Sequence, residues 1–257
     1  MGHFSPYIQL GPLVFDLPTM YTTLIAAALV VLIVVLATRN LKEVPAGMQN
    51  FFEWVVDFTR GIALQFMDQK TATRFIPLAL TLLLFIFISN QIGLFLFPWT
   101  EVEGAMPSVG VTEELVHEYE EAGEHLSLTW WKSPTANPSV TFALAAAVLL
   151  FSHWVGIRRS PGKYVKHYFQ PSPPMVILNI IEEASKFLTM PLRLFGNIFA
   201  GEVLISFLIA GGWIAKTTLS LPLFVWLGYS IFVGSIQAYI FATLTLVYIG
   251  QKAEDAH

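Results

Sequence analysis

The chain has 257 residues, of which 55% are hydrophobic and only 12% are charged, and its mean hydropathy is +0.62. This composition excludes an ordinary water-soluble domain and is typical of membrane proteins. The chain has no cysteine, which excludes disulfides and thiolate metal sites, and no basic stripe gathers its 14 lysines and arginines, which argues against nucleic-acid binding. No lysine or arginine precedes the first apolar segment, so we expect no cleaved signal peptide.

Five apolar segments are long enough to cross a bilayer, which requires about 20 apolar residues per helix. In chain order they are predicted over residues 17–38, 75–99, 133–157, 174–213 and 217–251. As single helices, the last two would be about 50 Å or more in length, whereas the hydrocarbon core is about 30 Å thick. Each is therefore either one strongly tilted helix or two short helices.

The charge pattern favours tilted helices for these two segments. Lys216 is the only charged residue between Glu202 and Lys252, so only one turn at the membrane surface is evident. We therefore predict two long helices that form a tilted hairpin.

Residues 49–66, between the first two spans, have a different pattern. Glu53, Asp57 and Arg60 recur at helical spacing, and aromatic residues cover much of the remaining surface. This pattern predicts an amphipathic helix, which either lies on the membrane surface or packs on the helix bundle.

The distribution of lysine and arginine predicts the orientation of the chain. One set of flanks carries Arg39, Lys42, Arg60, Lys70, Arg74, Arg158, Arg159, Lys163, Lys166 and Lys252. The opposite flanks hold only Lys132 and Lys216, and the loop over residues 100–132 contains eight acidic residues between Glu101 and Glu124. We expect five crossings, with the N-terminus outside, the C-terminus in the cytoplasm and the acidic loop as a solvated external surface.

Polar residues inside the fourth segment share a helix face around Arg193. At about 100° per residue, Glu182, Lys186 and Asn197 lie within about 40° of Arg193, and Glu183 lies about 80° away. Glu182 and Lys186 are an i, i+4 pair that can neutralise each other. Because a protonated guanidinium at the bilayer centre costs about 2.5 kcal/mol or more, Arg193 indicates a function or a partner.

A second polar group is predicted at a different depth. Glu202 lies about 13 Å further along the helix than Arg193 and about half a turn away from its face. In the last segment, Ser230 and Gln237 are seven residues apart and therefore share a face. Two polar patches separated by a fixed cation would suit an ion path made of two offset halves.

Structural alternatives exist for each of these residues. Arg193 could be paired permanently with Glu183 or Glu202, Asn197 and Gln237 could be interhelical hydrogen-bonding groups, and Ser230 could be a packing residue. Three further polar residues near span ends are expected at the membrane interface: Asn90, Gln91 and His153.

These residues lie in motifs that resemble subunit a of the bacterial F-type ATP synthase. "LRLFGNIFAGE" (192–202) resembles the signature of that family's penultimate helix, and "SIFVGSIQAYIFATLTLVYIG" (230–250) resembles its last helix. "GMQNFFEWVVDF" (47–58) and "WWKSPTAN" (130–137) resemble bacterial members. The likeness covers most of the chain.

The resemblance implies an all-α polytopic protein of the bacterial cell membrane. It implies five membrane-crossing helices plus one surface amphipathic helix, with the last two helices tilted as a hairpin along a ring of c subunits. The implied function is that of an ion-conducting stator subunit with two proton half-channels. Its implied partners are the c ring, the b subunits and the rest of the synthase, and no cofactor or metal is expected. The chain itself would make no ATP, since it contains no phosphate-binding glycine-rich loop.

The resemblance also implies roles for particular residues. Arg193 would face the carboxylate of the c ring, and Asn197, Glu202 and Gln237 match positions linked to ion access. Ser230 stands where some members carry a histidine that works with the glutamate, so that pair is absent here. Lys186 occurs in only some members, and because it shares the Arg193 face we predict that its charge tunes the cytoplasmic outlet.

A self-contained ion channel or secondary transporter is the alternative function. It predicts internal repeats or broken helices around a site at the membrane midplane, and no repeat is evident. A membrane-embedded hydrolase has little support, since the sequence has neither an HExxH nor a GxSxG motif.

Overall fold

The computed structural model describes residues 2–95, 99–102, 104–121, 126–169, 172, 174–210 and 220–254. The helices in these ranges are α1 (Leu17–Thr38), α2 (Met48–Ala63), α3 (Gln69–Phe95), α4 (Glu113–Glu121), α5 (Pro138–Arg159), α6 (Pro161–Tyr168), α7 (Met175–Ala210) and α8 (Ser220–Glu254). Five of them, α1, α3, α5, α7 and α8, are long and apolar enough to cross a membrane. The prediction of an all-α polytopic membrane protein is thus confirmed.

Polar side chains cap the first turns of three spanning helices. Asp16 accepts a hydrogen bond from the Thr19 amide at 3.2 Å where α1 begins, and Asn137 accepts one from the Ser139 amide at 2.9 Å where α5 begins. Asp68 accepts from the backbone amide of Thr71 at 3.2 Å at the start of α3. These bonds satisfy amide groups that have no partner inside the helix. Hydrogen bonding from Thr71 also lowers the pKa of the Asp68 carboxyl.

The two longest helices, α7 and α8, have 36 and 35 residues and are each unbroken over their described length. α7 continues through Pro191. The turn predicted around Lys216 falls within residues 211–219, which lie outside the described part of the chain.

α8 lies at the centre of the bundle and packs against α3, α5 and α7. The main core contains buried apolar side chains from all four helices: Leu82, Ile86, Ala145, Val148, Met190, Leu194, Ile198, Phe241 and Ala242. The ends of α5 and α8 and the start of α7 meet at one end of the bundle, which we call the C-terminal end.

α2, the amphipathic helix, has features of both a helix packed on the bundle and a helix at the membrane surface. Val55, Thr59 and Ile62 are buried against the bundle, whereas Trp54 and Phe58 are exposed. The amphipathic helix therefore packs on the bundle and presents an aromatic face outward, as an interfacial helix does.

Residues 99–102, 104–121 and 126–129 form a folded unit at the other end of the bundle. Strands β4 (Trp99–Glu101) and β5 (Leu126–Thr129) join β1 (Gly2–Phe4) in a three-stranded sheet of order β1-β5-β4, in which β5 is parallel to β1 and antiparallel to β4. A separate antiparallel pair joins β2 (Tyr7–Leu10) and β3 (Leu13–Asp16).

The expectation that this acidic loop is merely a solvated surface is therefore wrong for its apolar residues. Val111, Leu126 and Leu128 are fully or almost fully buried and form a small core of their own. The acidic residues of α4 are nevertheless exposed, since the helix turns its apolar side toward that core. Glu124 lies outside the described residues.

Candidate functional site

Arg193 is exposed on α7, part of the way along its length. Within the described part of the chain, its side chain makes no hydrogen bond or ion pair. Glu183 and Glu202 both have other partners, so the alternative of a permanent pair between Arg193 and one of these acids is wrong. The guanidinium is thus available to a group from outside this chain.

Four charged side chains gather at the C-terminal end of the bundle. Lys186 Nζ lies 2.8 Å from Glu182 Oε1 and 3.4 Å from Glu183 Oε1, so the predicted pair of Glu182 and Lys186 is confirmed. Lys252 Nζ, from the end of α8, lies 2.6 Å from Glu183 Oε1 and is buried. Two carboxylates and two ammonium groups therefore balance one another's charge.

Three further side chains close a ring around Glu183 and Lys252. His153 Nε2 lies 3.6 Å from Glu183 Oε2, and His153 Nδ1 lies 2.6 Å from the Tyr164 hydroxyl. The Tyr164 hydroxyl is 3.1 Å from the hydroxyl of Tyr168, which accepts a hydrogen bond from Lys252 Nζ at 3.3 Å. Burial raises the pKa of Tyr164, so its hydroxyl keeps its proton and remains a donor.

We call this set the Glu183 cluster: His153, Tyr164, Tyr168, Glu182, Glu183, Lys186 and Lys252. A cavity of about 270 Å³ lies against it and is also lined by Asn179 and Gln251. His153, which was expected at the membrane interface, has its ring held between α6 and α7. Sequence reasoning treated Lys252 only as a flanking cation and did not identify Tyr164 or Tyr168.

Glu202 is the start of a second hydrogen-bonded group, nearer the other end of the bundle. Its Oε1 accepts a hydrogen bond from the backbone amide of Ser133 at 2.7 Å. The Ser133 hydroxyl donates to the carbonyl of Ser89 at 2.7 Å and lies 2.7 Å from Thr135 Oγ1. Thr135 Oγ1 in turn donates to Asn90 Oδ1 at 2.6 Å.

This chain of bonds, the Glu202 cluster, ends on α8, where Asn90 Nδ2 donates to the carbonyl of Gly234 at 2.7 Å. Its members are Ser89, Asn90, Ser133, Thr135 and Glu202. The first four are fully buried, so the expectation of an interfacial Asn90 is wrong. Ser133 and Thr135 lie in the motif "WWKSPTAN" (130–137), which resembles bacterial members of the family. Neither residue was assigned a functional role from the sequence alone.

The absence of a side chain at Gly93 allows Glu202 to approach α3. A Cβ atom built at this position would overlap Glu202 Oε1 and would lie 2.6 Å from Ser133 Cβ. Such distances are well inside van der Waals contact, so only glycine is compatible with this arrangement.

The remaining predicted residues are not bonded to Glu202. Gln237 and Ser230 are buried, and among the described residues the Ser230 hydroxyl has no hydrogen-bond partner. Asn197 is exposed and lines, with Ser230 and Gly201, a small cavity of about 20 Å³ between α7 and α8. Within the described residues, neither Asn197 nor Gln237 forms the side-chain hydrogen bond that the structural alternative requires.

One ion pair holds the segment next to Glu202 in place. Lys132 forms an ion pair with Asp16, whose carboxylate also accepts from Asn137 Nδ2 at 3.3 Å and from the Ser5 hydroxyl at 3.2 Å. Asp16 thereby connects the N-terminal residues and α1 to the segment that supplies Ser133.

Comparison with known proteins agrees with the sequence motifs. Residues 20–250 match the family model described as ATP synthase A chain. The chain is 42% identical to the ATP synthase subunit a of Priestia megaterium and 43% identical to that of Macrococcus caseolyticus, in each case over 100% of both chains. It is 41% identical to the ATP synthase subunit a of Staphylococcus aureus, again over both full chains. This chain therefore belongs to the ATP synthase A chain family.

Proposed function

We propose that this chain is the ion-conducting stator subunit of an F-type ATP synthase in a bacterial cell membrane, and that Arg193 faces the carboxylates of a rotating c ring. The observation that carries the proposal is an exposed guanidinium on an apolar helix, without a partner among the described residues. Since an unpaired cation in hydrocarbon is costly, its partner belongs to another chain. A passing carboxylate supplies the required negative charge without a permanent bond.

The Glu202 cluster supports an access path from the outside. Its buried serine, threonine and asparagine groups connect Glu202 on α7 to α3 and α8. A proton that reaches Glu202 would pass by Gln237, Ser230 and Asn197 to a carboxylate of the ring. Once neutral, that carboxylate can move into lipid, where a charged one is strongly disfavoured.

The Glu183 cluster supports an outlet on the cytoplasmic side. Its cavity of about 270 Å³ is polar and large enough for several water molecules. A carboxylate that returns from the lipid would lose its proton toward this cavity and then meet Arg193, which favours its ionised form. Glu182, Glu183 and Lys186 therefore set the charge of the outlet, together with Lys252.

Buried apolar side chains on α7 separate the two clusters. Met190, Leu194 and Ile198 lie between Glu183 and Glu202 along the helix, so neither path continues through the chain on this face. This separation requires the proton to travel on the ring and so couples proton flow to rotation. A self-contained transporter would instead need a broken helix at the midplane, whereas α7 and α8 are unbroken where they are described.

The orientation and the other partners are part of the same proposal. The cations at the start of α3 and at the ends of α5 and α8 favour a cytoplasmic position for these ends and an external N-terminus. The c ring and the b subunits of the peripheral stalk are the proposed neighbours within the synthase.

The experiment that tests this function replaces Arg193 with alanine in the assembled synthase. We expect Arg193→Ala to abolish ATP-driven proton pumping in inverted membrane vesicles, because nothing then keeps the arriving carboxylate ionised. Arg39→Ala, an exposed arginine just after α1, is the control and should pump normally. Normal pumping by an assembled Arg193→Ala complex would refute the proposal.

A further inference from the structure

A groove with a strongly basic rim lies between α3 and α5. Its volume is about 660 Å³, which makes it larger than the cavity of the Glu183 cluster. Four of its lining side chains are cationic, Lys70 and Arg74 from α3 and Arg158 and Arg159 from α5, and Asp68 is the one acid among its lining residues. The groove therefore carries an excess of positive charge.

Asp68 only partly offsets that charge. Its carboxylate accepts hydrogen bonds from the backbone amides of Lys70 and Thr71, at 3.1 and 3.2 Å. The Asp68 carboxylate is thus hydrogen-bonded to the first turn of α3, while the side chains of Lys70, Arg74 and Arg158 are exposed.

The deeper wall of the groove is aromatic. Phe75 and Phe151 meet edge to face with ring centroids 6.1 Å apart, and Phe151 stacks on Trp154 at 5.7 Å. The Arg158 guanidinium lies 5.0 Å from the centroid of the Trp154 ring, so the cationic and aromatic parts of the groove are continuous.

The order of these residues along the helices corresponds to the layers of a membrane. α5 ends at Arg159, and Phe151 lies about 10 Å deeper than Arg158 along its axis. α3 begins at Gln69, and its cations likewise precede Phe75. The basic rim therefore lies at headgroup depth, and the aromatic wall extends from the membrane interface, where Trp is enriched in membrane proteins, toward the acyl chains.

We propose that this groove binds an anionic phospholipid, with its phosphate among Lys70, Arg74 and Arg158 and an acyl chain along Phe151 and Trp154. Basic pockets between spanning helices on the cytoplasmic side are suited to such headgroups. A soluble phosphate would use the cations but not the aromatic wall. The bound lipid bridges α3 and α5, both of which pack against α8.

The test measures how much phosphatidylglycerol the purified synthase retains after exchange into phosphatidylcholine. We expect the native complex to retain phosphatidylglycerol. The double variant Arg74→Gln/Arg158→Gln should retain at least about tenfold less, because each cation near the headgroups contributes measurably to anionic-lipid binding. The control variant Arg39→Gln/Arg60→Gln removes the same charge outside the groove and should retain the native amount. If the double variant fails to assemble, each single variant is compared with Arg39→Gln or Arg60→Gln.

Two further measurements distinguish a lipid from other occupants. Brominated phosphatidylglycerol should quench tryptophan fluorescence in the native complex, and Trp154→Phe should remove part of that quenching. Inorganic phosphate should not displace the lipid. Displacement by inorganic phosphate, or equal retention by the native complex and the groove variant, would overturn the proposal.

Discussion

At the scale of single residues, two lysines balance the carboxylates of the Glu183 cluster. Lys186 lies within ion-pair distance of both Glu182 and Glu183, whereas the ion pair of Lys252 is with Glu183. Replacement of Lys186 by glutamine leaves Glu182 unpaired and removes a positive charge from the outlet. Because that charge repels protons, we expect Lys186→Gln to move the pH dependence of ATP synthesis toward higher pH, as measured in energised membrane vesicles.

The control for this prediction is Lys42→Gln, which changes an exposed lysine that is not a member of the cluster. It should leave the pH profile unchanged. A Lys186→Gln profile that coincides with the native one would show that the charge of this lysine does not influence proton release.

At the scale of helices, the contact between α3 and α7 depends on Gly93. A methyl group there overlaps Glu202 Oε1 and Ser133, so Gly93→Ala must move both residues or separate the helices. Overpacking of this kind costs about 1–3 kcal/mol. We expect weaker ATP-driven proton pumping and a lower thermal midpoint of the complex, because Glu202 loses its position against the Ser133 amide.

Gly61→Ala is a matched control, since a Cβ atom at Gly61 on α2 would have no atom within 4 Å. Alanine also has a higher helix propensity than glycine, so this variant should be as stable as the native protein or slightly more so. Native pumping by Gly93→Ala would contradict the close packing of α3 and α7.

At the scale of the whole molecule, Asp16 connects the N-terminal residues, α1 and the segment before α5. The side chains of Asp16 and Lys132 are 25% and 20% exposed, so this ion pair is intermediate between a surface pair and a buried pair. We expect Asp16→Asn to destabilise the folded chain by about 1–3 kcal/mol, as the neighbouring Lys132 loses its counterion. The measurement is the thermal midpoint of the purified complex.

Asp57→Asn breaks a surface ion pair with Arg60. The Asp57 and Arg60 side chains are 67% and 53% exposed, so the change should cost less than about 1 kcal/mol. If Asp16→Asn were as mild as this control, the ion pair would not hold the segment before α5 in place. Combining Asp16→Asn with Lys132→Gln should cost less than the sum of the two single changes, because both remove the same interaction.

Hydropathy and charge by themselves determined the number of spanning helices, the two long unbroken ones and the intramembrane arginine. These features depend on local properties of the chain: the apolar length needed to cross the bilayer, and the cost of a charge within it. The pair of Glu182 and Lys186 was also predictable, because helical periodicity brings residues four apart together.

Only the tertiary structure decided which polar groups meet across helices. Glu183 pairs with Lys252, 69 positions away in the sequence, and Asn90 bonds to Thr135 and Gly234 on other elements. Sequence periodicity predicts the helix face on which a residue lies, but it does not predict which other helix packs against that face, because apolar helix surfaces resemble one another closely. The choice of neighbours depends on the packing of all the helices together, which is why the Glu202 cluster and the basic groove between α3 and α5 became visible only in the folded chain.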